Sequence, residues 1–196
     1  MRRFLPLLLL LALCAPTRAN NVDANSFQIR SHFVGEPVTR FLRLESDARE
    51  ELEICRERAV GSVCTHLINA VDRGARAEIS TRAPMDFLDP DAPRDSVDFV
   101  LDGGKVVKMT MLVSDVADVL KQFGQPSSKT TAPARNKAGQ KWEDHISVWS
   151  AADVYVSLYE DGNPSLEDKR PTLIIETPAE HARDVAAAAP RPTPRP

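Results

Sequence analysis

The four histidines, His32, His66, His145 and His181, stand singly, and none has the H-x-x-x-H or H-E-x-x-H spacing that would put two metal ligands on one helix face. The chain also lacks a G-x-S-x-G elbow, a G-x-x-x-x-G-K-[ST] phosphate cradle and a G-x-G-x-x-G dinucleotide fingerprint. Asp144 and His145, with Ser147 or Ser150, have the residue types of a serine-nucleophile triad. Neighbours along one strand point to opposite faces, however, so these residues read as structural. Acid pairs such as Glu50-Glu51 and Asp89 to Asp91 lie in polar runs that read as solvated surface. No catalytic residue, metal ligand or cofactor is nominated, and the chain is read as non-catalytic. Cys55 and Cys64 are too far apart for a C-x-x-C redox pair and lack a second ligand pair for zinc. They are expected to form a disulfide closing a loop of about ten residues, worth on the order of 2 to 3 kcal/mol.

Recognition chemistry has a better candidate. In Trp142 to Trp149, Ile146 and Val148 alternate with His145, Ser147 and Trp149; in Val154 to Glu160, Val154, Val156 and Leu158 alternate with Tyr155, Ser157 and Tyr159. If both aliphatic sets face a helix layer, the other sets emerge together. His145, Trp149, Tyr155 and Tyr159 are then a contact patch of rigid rings with polar tips. The competing reading packs this second face into the core, against the other half of the chain.

The elements that position this patch are legible to different degrees. Val97, Phe99 and Leu101, the Gly103-Gly104 turn, and Val107, Met109, Met111 and Val113 read as a hairpin. Ser114 is the expected cap of a helix with Val116, Val119, Leu120 and Phe123 on one side, stopped at Gly124 and Pro126. A polar link, Ser127 to Gln140, leads to strands Trp142 to Trp149, Val154 to Glu160 and Thr172 to Thr177. Upstream, Ser26 to Phe33 reads as a short strand, and Val38, Phe41 and Leu42 as a helix entered at Pro37. Asp47 to Arg58 is acidic early and basic late, as a helix dipole favours, although a hairpin from Cys55 to Leu67 turning at Gly61-Ser62 fits equally well. Asp72 to Asp95 reads mostly as loop, with a short strand at Ala77 to Thr81 and an apolar island of Met85, Phe87 and Leu88.

Residues 1–19 read as a secretory leader: Arg2 and Arg3, an apolar run from Leu5 to Ala12, and small residues at Thr17 and Ala19 before a mature start near Asn20. The run of roughly ten residues is short of the roughly 20 a spanning helix needs, so no stable transmembrane anchor is expected. Lipid attachment at Cys14 is the minor alternative, disfavoured by the bulky Leu13 before it. The leader's three arginines are among 25 basic residues against 28 acidic ones, so its removal makes the formal charge of −3 more negative. That balance, without a basic stripe, excludes an ordinary nucleic-acid binder. The expected organisation is an N-terminal α+β half at 20–95, a ββαβββ half at 96–180, and a tail at 181–196. With five alanines and four prolines, the tail is expected to lack order.

Val34 to Leu42 and Val113 to Leu120 both run from an apolar strand end through a polar break into a striped helix, which suggests two related halves. Over Val116 to Trp149, the order of short helix, Phe123-Gly124-Gln125-Pro126, polar link and Trp-bearing strands resembles the small envelope lipoproteins of the SmpA/OmlA type and the related β-lactamase-inhibitor-protein fold. That resemblance covers about a quarter of the chain. It implies a non-catalytic protein that contacts other envelope proteins through its sheet. The expected fold is α+β, an antiparallel sheet of four or more strands with helices on one face. The expected function is that of a periplasmic or secreted protein binding another exported or envelope protein, with an exported small-molecule binding protein as the alternative.

Overall fold

The computed structural model describes residues 27–58, 61–84, 94–166 and 169–188. The expected leader with Cys14, the expected mature start near Asn20, the expected island of Met85, Phe87 and Leu88, and the part of the expected tail from Ala189 onward lie outside these residues.

The chain builds an α+β fold. Helices α1 (Val38–Leu44), α2 (Ser46–Arg58) and α3 (Ser62–Arg73) precede strands β1 (Ala77–Pro84), β2 (Arg94–Asp102) and β3 (Lys105–Leu112). Helix α4 (Val116–Phe123) follows, then β4 (Ser128–Arg135), β5 (Lys141–Ser150), β6 (Tyr155–Glu160), β7 (Thr172–Glu176) and α5 (Pro178–Ala188). All seven strands form one antiparallel sheet in the order β1-β2-β3-β7-β6-β5-β4.

Alternation fixes the inner face. Ile79, Phe99, Met109, Ile175, Val156 and Trp149 lie in one cross-strand row, and all are buried. Phe41, Leu52, Cys55, Leu67 and Ala70 of α1–α3 and Val119 of α4 pack into the same core. Each large apolar side chain taken from water there contributes about 1.5–3 kcal/mol. The β2–β3 hairpin turns at Gly103-Gly104, both with positive φ, as a two-residue turn that matches strand twist requires. A bulge opposite Val100/Leu101 shifts the phase, so Val106 enters the core where Val107 was expected.

Several elements differ from the sequence reading. Residues 27–33 make a tight turn at Arg30 and Ser31, both with positive φ, closed by reciprocal Ile29–His32 backbone bonds; the expected strand is absent. Cys55 to Leu67 is two helices, and the Cys55–Cys64 disulfide ties α2 to α3 with Cα atoms 4.9 Å apart. The N-cap of α4 is Asp115, accepting from the Ala117 N–H at 2.9 Å, and not Ser114. The polar link contains β4, whose side chains are largely exposed and leave no apolar alternation to read. The N-terminal half is α1-α2-α3-β1 and the C-terminal one ββαββββ, so the suggested echo sets a turn at Val34 against the end of β3.

Helix α5 is the largest difference: Pro178–Ala188 is helical, where the composition of 181–196 predicts a tail without order. Thr177 Oγ1 accepts from the Glu180 N–H at 3.2 Å, and Pro178 occupies the first helical position, where its missing N–H costs nothing. Helices α1–α4 lie on the inner face; α5 crosses the outer one. Among the described residues no helix is long and apolar enough to cross a membrane.

Candidate functional site on the outer sheet face

The β5–β6 register decides which aromatic residues come together. Trp149 pairs with Val156 and Ser147 with Leu158, so the odd-numbered residues of β5 share a face with the even-numbered residues of β6. The nominated patch therefore splits. Trp149 lies in the core at 3% exposure, its Nε1–H donating to the Gly124 carbonyl at 3.0 Å and its ring edge-on to Phe123. His145 is exposed on the same inner face, opposite Thr131 of β4 and Glu160 of β6, in an open polar cleft with Lys129. Tyr155 and Tyr159 are on the outer face with Ile146 and Val148.

The triad types are not assembled either. Asp144 faces outward, away from His145 and Ser147, and accepts from the Tyr159 hydroxyl, Trp142 Nε1–H (2.8 Å) and the Gly162 N–H (2.9 Å). Burial pushes the Asp144 pKa up, but these donors outweigh it and hold the carboxyl below its ordinary value. Burial and the Asp144 charge both push the Tyr159 phenol up. The pair is a fixed anchor for one wall of the outer face.

Along β6 the outer face reads Tyr155, Ser157, Tyr159: large, small, large. Ser157 lies between Val148 of β5 and Ile174 of β7. A depression results, floored by a small side chain and walled at both ends by half-buried tyrosines about 13 Å apart along the strand. Helix α5 forms the long side. His181, Asp184, Val185 and Ala188 recur at i, i+3, i+4 and i+7 and all line the groove, whose volume is about 400 Å³.

Ionic contacts pin α5 at its start. Arg76 holds Glu180 through two bonds of 2.5 and 2.9 Å, Arg183 meets Asp102 at 2.8 Å, and Lys108 bonds Asp184. The His181 ring stacks on Tyr155 at 3.6 Å and 21°. Its Nδ1 lies 2.8 Å from Glu176 Oε1. Beyond these contacts the groove side of α5 is apolar, with Val185 and Ala188, and Val185 is 56% exposed although it faces the groove. Glu176 is 3% exposed, and no described group hydrogen-bonds its Oε2; Lys108 Nζ stands 4.0 Å away. Burial raises the Glu176 pKa, against the opposing pull of His181 and Lys108.

Of the four nominated residues, Tyr155 and Tyr159 line this groove, together with Glu176, His181 and Val185, which the sequence reading does not nominate. A signal was present: Thr177-Pro178-Ala179-Glu180 is a T-x-x-E helix start, followed by the stripe from His181 to Ala188. Among the described residues no three His, Cys, Asp or Glu side chains cluster as metal ligands would.

No protein-family model, curated protein or solved structure matches this chain.

Proposed function

We propose that the chain is an exported, non-catalytic binding protein that receives another exported protein in the outer-face groove between α5 and β5–β7. The observation that carries this reading is the pair of apolar α5 side chains Val185 and Ala188 in the groove wall beside Tyr155 and Tyr159, with Val185 left 56% exposed. Tyrosine rings supply large contact area at small entropic cost, and exposed apolar surface rimmed by polar groups is what interaction sites present. Export to the periplasm or beyond is supported by the leader-like residues 1–19 and by the Cys55–Cys64 disulfide, which suits an oxidising compartment. Kinship with the small envelope proteins remains part of this proposal and rests on residues Val116 to Trp149 alone.

The test places a small diazirine amino acid at Thr172, on the groove rim, and separately at Thr131, on the opposite sheet face, in the cells that export the protein. A discrete crosslinked protein from Thr172 and none from Thr131 is expected; equal products from both, or none from Thr172, would overturn the proposal. A second reading, a small-molecule site, is favoured by the groove volume of about 400 Å³, within the range of ligand pockets. It predicts a ligand-dependent rise in Tm with no protein partner.

A further inference from the structure

The two edges of the sheet are not alike. Strand β4 carries Lys129, Pro133 and Arg135 and no acid, the kinds of residue that keep an edge strand from pairing with another chain. Strand β1, at the opposite edge, carries both signs of charge in Glu78 and Arg82. We infer that two copies of this chain join through their β1 strands, antiparallel about a two-fold axis at Ser80, so that two seven-stranded sheets become one. The groove between α5 and β5–β7 lies toward the other edge, and this inference stands apart from its reading.

Hydrogen-bond parity shows which backbone groups β1 offers. Thr177 N–H donates to the Val107 carbonyl and Val113 N–H to the Pro171 carbonyl, so the odd-numbered residues of β3 bond β7 and its even-numbered ones bond β2. Lys108 and Thr110 stand opposite Val100 and Asp98, which leaves Val97, Phe99 and Leu101 to bond Thr81, Ile79 and Ala77 of β1. Glu78, Ser80 and Arg82 therefore turn their N–H and C=O groups away from the sheet. The Arg30 guanidinium reaches the Arg82 carbonyl at 2.7 Å, as an outward carbonyl allows, and leaves it a second lone pair. Among the described residues no other group bonds these outward N–H and C=O groups. An open cleft of about 570 Å³ lies against the same edge, between Ala77 to Ser80 and the helical side chains Glu51, Val63 and His66, so the helices leave room for a second strand.

Charge selects the register. With Ser80 opposite Ser80, Glu78 of each copy lies opposite Arg82 of the other; both side chains are exposed, and neither joins an ion pair among the described residues. Centring the pair on Ile79 sets Arg76 against Arg82, like against like. Centring it on Thr81 sets Glu78 against Pro84, which has no N–H to donate. At the Ser80 register the buried Ile79 and Thr81 of the two copies adjoin, and the inner face continues across the axis.

The experiment is sedimentation velocity of the purified chain over micromolar concentrations, where a monomer–dimer equilibrium is expected. Glu78→Arg and Arg82→Glu each place like charges opposite one another twice per dimer and should each weaken it about tenfold. The two together exchange the charges, restore both pairs and should return affinity to within about threefold of the natural chain. Circular dichroism verifies that the variants fold. In a glutathione buffer Ser80→Cys should give a disulfide-linked dimer, because bonded cross-strand pairs stand about 5.5 Å apart at Cα, within disulfide reach; Thr130→Cys on β4 should not. A monomer at every concentration, a dimer indifferent to the charge changes, no rescue in the double variant, or an equal crosslink from Thr130→Cys overturns the inference. An open series of larger species would mean that β1 pairs with β4 and overturns it as well. Partner capture from Thr172 tests the groove separately, so the two readings can fail independently.

Discussion

Replacing His32 by glutamine should destabilise the protein by about 3–5 kcal/mol and remove a component of its pH dependence. His32 has 0% exposure and sits against the Phe41 and Phe99 rings, both about 5 Å away by centroid. Its Nδ1 bonds Glu36 and its Nε2 lies 2.9 Å from Glu45 Oε1; Arg40 bonds Glu36, and Arg30 lies 3.4 Å from Glu45. Both ring nitrogens face carboxylate oxygens, so both bonds are donated only by the doubly protonated imidazolium. Burial alone pushes the His32 pKa down, but the bonds and charges of Glu36 and Glu45 outweigh it and raise the net value. Burial pushes Glu45 up, while His32 and Arg30 hold it below its ordinary value.

The signs follow by linkage. A raised folded pKa makes the His32 contribution complete below about pH 6.5 and lost as pH climbs through the folded value. A lowered one makes the Glu45 contribution present above about pH 4.5 and lost as pH falls through the folded value. The network is therefore strongest between about pH 4.5 and 6.5. Glutamine cannot donate in both directions, and a buried carboxyl loses its partner. Against a typical total stability of about 5–15 kcal/mol this is a large share, equivalent to a Tm drop of about 6–20 °C. Urea unfolding followed by circular dichroism at pH 5.5, 7 and 8.5 measures it. The difference between the natural protein and His32→Gln should shrink as pH rises; a difference below about 1 kcal/mol, or one independent of pH, would refute the reasoning.

Three further outcomes are expected. Gly162→Ala should cost at least about 1–3 kcal/mol in urea unfolding, because a Cβ there would lie 1.7 Å from the Glu143 carbonyl oxygen, and backbone cannot step aside; unchanged stability would contradict this packing. Trp149→Ala should cost about 3–5 kcal/mol by the same assay, since the indole is core and bonds Gly124, while leaving partner capture from Thr172 intact in molecules that fold. Cys55→Ser with Cys64→Ser should lower stability by about 2–3 kcal/mol, the loop-closure value for a separation of 9 residues, without changing the fold by circular dichroism.

Elements with a strong internal period could be read from the sequence alone. The β2–β3 hairpin carries alternation and a Gly-Gly turn, and α4 carries an apolar stripe with stops on its far side, so both appear where expected. Strand β4 was not legible because, as an exposed edge, it owes its place to backbone pairing with β5 and not to buried side chains. Residues 27–33 looked like a strand because Phe27 and Ile29 are buried at spacing two, yet the intervening chain turns at Arg30 and Ser31.

The candidate site failed on phase. Each of β5 and β6 alternates as read, but antiparallel pairing lets one strand's odd residues share a face with the other's even residues, and only the turn at 151–154 decides it. That one-residue choice sends Trp149 into the core and leaves Tyr155 and Tyr159 outside. Composition hid α5, whose alanines resemble a solvated tail until the Thr177-to-Glu180 start is weighed.

The most direct measurement takes the protein captured from Thr172 and titrates it calorimetrically against the purified mature chain and against Ser157→Trp, which fills the groove floor from a partly exposed position. The account predicts stoichiometric binding to the natural chain and a loss of affinity of at least about tenfold in Ser157→Trp at unchanged Tm, since a filled groove excludes the partner's anchor. Equal affinity for both proteins would place the interface elsewhere and contradict the claim that the outer face is the binding surface.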